Sequence, residues 1–75
     1  MGKMPRPTGK KMVRFLERQG FRLRRIVGSH HVMRREETQT IVPVHSNRDL
    51  RTGTIRGILS DIRMEPEEFE RLWKE

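Results

Sequence analysis

The hydrophobic repeat changes at Gly20, and that change constrains the first half of the chain more than any other feature. Upstream, Met12, Phe15 and Leu16 recur at i, i+3 and i+4, one buried stripe of a helix. Downstream, Phe21, Leu23 and Val27 share one parity and Arg22 and Arg24 the other, which is the two-residue repeat of a strand with a basic face. Thr8 can cap the helix, which runs to about Gln19. Gly20 supplies the left-handed stop, and Phe21 is returned onto Leu16.

The strand needs partners, and the next residues supply them. Gly28-Ser29 turns the chain, and Ser29 to Arg35 reads as a second, antiparallel strand. Arg25 and Ile26 break the alternation of the first, which marks a bulge or an edge. After the polar connection Glu36-Glu37-Thr38, the β-branched run Gln39 to Val44 makes a third strand, and Pro43 places it at an edge or ends it. His45 to Gly53 is polar and turn-forming. Thr54 then caps a second helix whose stripe is Ile55, Ile58, Leu59 and Ile62. Pro66 suits the first position of a short last helix, with Glu67 and Glu68 at its positive end and Met64 and Phe69 spaced as a staple. One side of that helix, Phe69, Leu72 and Trp73, faces the core or a partner.

The expected fold is therefore α+β, in the order α-β-β-β-α with a short C-terminal helix: a three-stranded antiparallel sheet with helices on one face and the other face open. Residues 1–7 read as a flexible basic arm and 8–75 as a single domain. A chain of 75 residues buries only roughly 60% of its unfolded surface, so it has one small core and no room for a large cofactor. With no Cys there is no disulfide or thiolate site, and no apolar run has the length of a bilayer span or a signal peptide. The expected setting is the cytoplasm, with no membrane association and no cofactor.

Charge points to the partner. Lys and Arg number 17 against 10 Asp and Glu, a net charge of +7. Residues 1–35 hold eleven bases and one acid, Glu17, a net of +10, and residues 36–75 hold six bases and nine acids, a net of −3. Clustering of that kind suits a polyanion, above all nucleic acid, because Lys and Arg neutralise phosphates and release their counterions.

The corner Gly28-Ser29-His30-His31 carries two of the three histidines where a tight turn holds the backbone on both sides. Imidazole changes charge near neutral pH, so this is a candidate site, and a quiet packing role for either ring is the alternative.

The α-β-β-β-α order is shared with double-stranded-RNA-binding domains. Within it, Gln19-Gly20-Phe21, Gly28-Ser29-His30-His31, Val42-Pro43-Val44-His45 and Gly53-Thr54-Ile55-Arg56-Gly57-Ile58-Leu59 together closely resemble the HicA-type toxins, over about residues 8 to 70. The resemblance implies an endoribonuclease, or mRNA interferase, with mRNA as substrate and a HicB-type antitoxin as partner. It makes His31, which closes the Gly-Ser-x-His element, the catalytic residue. His30 has less support from the family pattern and is, with His45, an accessory candidate, a turn-stabilising role being the alternative for His45. The chain departs from the family where a Tyr often follows the β-branched residue of the second strand, since it reads Val32-Met33-Arg34 and contains no Tyr.

Adjacent strand residues point to opposite faces, so His30 and His31 serve different sites. His30 shares its parity with Val32, which suggests the helix-packed face. His31 shares parity with Ser29 and Arg35, which suggests the open face. There it could move a proton of a ribose 2′-hydroxyl or a departing 5′-oxygen. Holding phosphate is work for Lys10, Lys11, Arg22, Arg24 or Arg34, with Ser29 beside them. The divergent histidines disfavour a metal site, so cleavage is expected to be metal-independent and to leave a 2′,3′-cyclic phosphate or 3′-phosphate. A free monomer is the expected state. Fold and charge also fit an RNA- or DNA-binding module without catalysis.

Overall fold

Thr8 opens the first helix by accepting a hydrogen bond from the Lys11 amide at 3.2 Å. The computed structural model describes residues 4–74, which form α1 (Gly9–Arg18), β1 (Arg22–Val27), β2 (His30–Arg35), β3 (Thr38–Pro43), α2 (Thr52–Asp61) and α3 (Pro66–Trp73). Gly20 has φ +94°, and the Phe21 amide donates to the Leu16 carbonyl at 2.9 Å, the helix ending that the sequence calls for. The strands form one antiparallel sheet in the order β1-β2-β3. The helices lie over β2 and β3, so the chain has the α+β, α-β-β-β-α architecture of double-stranded-RNA-binding domains with one helix added.

The core joins the apolar stripes of both long helices to the covered face of the sheet: Met12, Phe15 and Leu16, then Ile55, Ile58 and Leu59, then Met33 and Val42. Phe69 is fully buried edge-on to Phe15, with ring centroids 5.1 Å apart at 83°, and Trp73 leans on both rings at 5.6 and 5.7 Å. The apolar side of α3 therefore belongs to the protein's own core, and burial of Phe69 alone supplies about 1.5–3 kcal/mol. No helix of the described residues is long and apolar enough to cross a membrane.

Local features of the structure refine the sequence reading. α2 starts at Thr52 with Arg51 as its uncapped flanking residue, so Thr54 lies inside the first turn; burial of Ile55 holds that turn, whose amide donates to Arg51. Leu50, in a stretch expected to be polar loop, is buried, and its amide donates to the Pro7 carbonyl at 2.8 Å. Of the arm expected over residues 1–7, Met1–Lys3 lie outside the described residues, whereas Pro7 is buried and Met4 packs on the core.

In β1, an edge strand, the irregularity expected near Arg25 and Ile26 is a bulge at Arg24 that resets the alternation. Beyond it Ile26 shares the helix side with Leu23, and Val27 joins Arg22 and Arg25 on the open side. Leu23 and Ile26 remain 43% and 53% exposed because the helices stop short of this edge strand. The link from β2 to β3 is a two-residue turn with Glu36 at φ +55°, held by a hydrogen bond from Arg34 Nε to the Glu36 carbonyl at 2.6 Å, so Thr38 belongs to β3 and not to the connection.

Candidate active site

On β2, His31 stands opposite Ile26 of β1 and Val42 of β3. Val42 and Met33, which share its side, are fully buried, so His31 lies on the helix-covered face and not on the open one. The alternation expected along β2 is present, but the covered parity is that of His31 and Met33 and not that of His30 and Val32. Val32 and Met33 are both buried on the central strand of so small a sheet, and Met33 was the better guide. His30 is the exposed residue, on the open face opposite Val27 and Pro43.

His31 sits at the end of β2 where α1 covers it only in part. Its ring is half-buried, with Nδ1 sealed from water and without a hydrogen-bond partner. The rest of the ring opens on a groove of about 200 Å³ walled by Lys10, Val13, Arg14 and Glu17 of α1 and by Val44. Gly9 brings the helix this close: a Cβ there would overlap the Pro43 carbonyl oxygen and lie 2.8 Å from Val44 Cα. The groove thus places one imidazole and one carboxylate, both able to exchange protons, beside two cations suited to a phosphodiester.

Of the cations proposed from sequence, only Lys10 reaches this groove. Arg14 and Glu17 were missed, although Lys10, Val13, Arg14 and Glu17 fall at i, i+3, i+4 and i+7 and so share a helix face. Arg22 and Arg34 pair with each other on the opposite side of the sheet, and Arg24 is the bulged residue. Arg22 and Arg34 therefore face away from His31, and none of the three lines its groove. Lys11 lines a different groove, with Arg14, Arg18 and Trp73.

Ser29 and His45 form a separate pair, with Oγ 3.4 Å from Nε2, at the outer limit of a hydrogen bond. The cleft beside them, about 280 Å³, is lined by Pro43, His45, Arg48, Asp49 and Arg51 among others. Ser29 continues the pairing of β2 with β3, since the Val44 amide donates to its carbonyl at 2.8 Å. His30, His31 and His45 therefore occupy three different places. Among the described residues no three His, Asp or Glu side chains come together as a metal site.

A search of curated proteins found no match. A family match covers residues 9–64, from the first residue of α1 past the end of α2, and its description is HicA toxin of bacterial toxin-antitoxin. The match spans α1, the sheet and α2 and includes every residue that walls the His31 groove, and the chain belongs to the HicA toxin family, the toxin half of a toxin–antitoxin pair.

Proposed function

We propose that this protein is an endoribonuclease that cleaves mRNA in the cytoplasm, with His31 as general acid/base, and that a HicB-type antitoxin holds it inactive. The observation that carries this reading is the placement of His31. A ring with an unpartnered, sealed Nδ1 stands among apolar neighbours and opens on a groove that holds Lys10 and Arg14.

In the reaction, a base in the groove takes the proton of a ribose 2′-hydroxyl, and O2′ attacks the adjacent phosphorus. The P–O5′ bond breaks, the leaving 5′-oxygen takes a proton, and a 2′,3′-cyclic phosphate remains. His31 and Glu17 divide the two proton transfers, and Lys10 and Arg14 stabilise the charge that grows on the phosphoryl oxygens. Neither transfer needs a metal ion.

A surface that combines His31, Lys10 and Arg14 is closed by acidic side chains that imitate phosphate, so the antitoxin covers the edge between α1 and β2. Arg22 and Arg34 lie on the other side of the sheet from His31, so they are not covered together with it as one patch.

The test is incubation with end-labelled single-stranded RNA in excess chelator. Fragments ending in 2′,3′-cyclic phosphate are expected from the native protein and none from His31→Ala. Tight binding without fragments would assign the protein to the non-catalytic nucleic-acid binders. Inhibition by chelator that a divalent ion restores would overturn the metal-independent route.

A further inference from the structure

The outer face of α1 carries a second groove, of about 350 Å³, walled by Lys11, Arg14, Arg18 and Trp73. Three of its four walls are cationic and none is acidic. Arg14 lines this groove and the His31 groove alike, so the two share a wall.

Trp73 meets the groove with a ring that is only half-buried, while its packing on Phe15 and Phe69 fixes the ring in place. Arg18 is steadied in turn, with its guanidinium carbon 5.8 Å from the Phe15 ring centroid. An immobilised indole beside three cations has the components of a single-strand subsite: a face on which one base stacks, and charges that follow the backbone. A duplex keeps its base faces stacked inside, so it cannot use the indole in this way.

Building on the ribonuclease reading above, we infer that the groove of Trp73, Lys11, Arg14 and Arg18 is a substrate-binding subsite. It stacks one unpaired base of single-stranded RNA a short way along the strand from the phosphodiester at His31. Trp73 lies beyond the family match at residues 9–64, so this grip is a property of this chain's own C-terminal helix.

The chain contains a single Trp, so its intrinsic fluorescence reports on this groove alone. The experiment titrates the full-length protein with a ten-nucleotide 2′-O-methyl oligouridylate, which lacks the attacking hydroxyl, and with the same strand annealed to its complement. The single strand is expected to quench Trp73 saturably, with an affinity that falls as salt rises, and the duplex to leave it unchanged.

Arg18→Gln, at an exposed position, should weaken binding of the labelled single strand. Trp73→Leu, which keeps an apolar side chain against Phe15 and Phe69, should weaken it about fivefold, the low end for loss of a stacked base. Binding of the single strand without quenching, and unchanged in Arg18→Gln, would overturn the subsite. Quenching by the antitoxin protein but not by RNA would give the groove to that partner instead. Because the oligonucleotide cannot be cut, these outcomes are separate from the cleavage assay: cleavage without quenching sinks the subsite alone, and quenching without cleavage of ordinary RNA sinks the ribonuclease reading.

Discussion

His31 and Val42 face each other across β2 and β3 on the covered side of the sheet, the valine fully buried and the histidine half-buried with its Nδ1 sealed and unpartnered. A buried polar group without a partner costs about 1–3 kcal/mol relative to one that is satisfied. An aliphatic side chain would suit this position better, judged by Met33, Ile26 and Val44 around it. An imidazole kept where packing disfavours it is the kind of local conflict that marks a working residue.

Lys10→Gln and Arg14→Gln should each raise KM for RNA and flatten its salt dependence. Loss of one phosphate contact to a single strand removes roughly 0.7 from the slope of log affinity against log salt. The same substitutions should slow antitoxin association at low salt. Weaker RNA binding with unchanged antitoxin association would place inhibition on another surface.

Glu17→Gln separates two roles of the groove's carboxylate. As the partner of His31 in proton transfer, its loss lowers kcat by about 10²-fold or more with KM little changed. If the carboxylate merely opposed the phosphates, the amide would instead lower KM and leave kcat alone. Steady-state kinetics on one short RNA distinguishes them.

Gly9→Ala should destabilise the protein by about 1–3 kcal/mol, because the added methyl meets backbone atoms of Pro43 and Val44 rather than a side chain that can move. It should also lower activity at temperatures where the variant is still folded, since it pushes Lys10 and Arg14 away from β2. Denaturant melts and cleavage measured well below the melting point test the two effects separately.

The fold was readable because each element carried a local signal: the stripe of α1, the stop at Gly20, the turn at Gly28 and the stripe at Ile55, Ile58 and Leu59. The site was less so. Alternation along β2 says that His30 and His31 diverge, but it cannot say which face the helices cover when Val32 and Met33 are both apolar. The broken alternation at Arg25 and Ile26 signalled a bulge in β1 but not that it falls at Arg24 and turns Ile26 to the helix side, and Arg14 and Glu17 became visible only once Gly9 had brought α1 against the end of β3. Sequence periodicity reports faces within an element, and the site arises where two elements meet.

The most direct test of the account is a paired measurement on His31→Leu: its melting temperature and its cleavage of single-stranded RNA. If His31 is held for chemistry against the preference of its surroundings, the leucine removes an unpartnered polar nitrogen. The variant should then melt at or above the native temperature, at about 4–8 °C per kcal/mol gained, with no detectable cleavage. A variant that still cuts RNA, or one that loses activity only because its melting temperature collapses, would contradict the claim that His31 is the catalytic group.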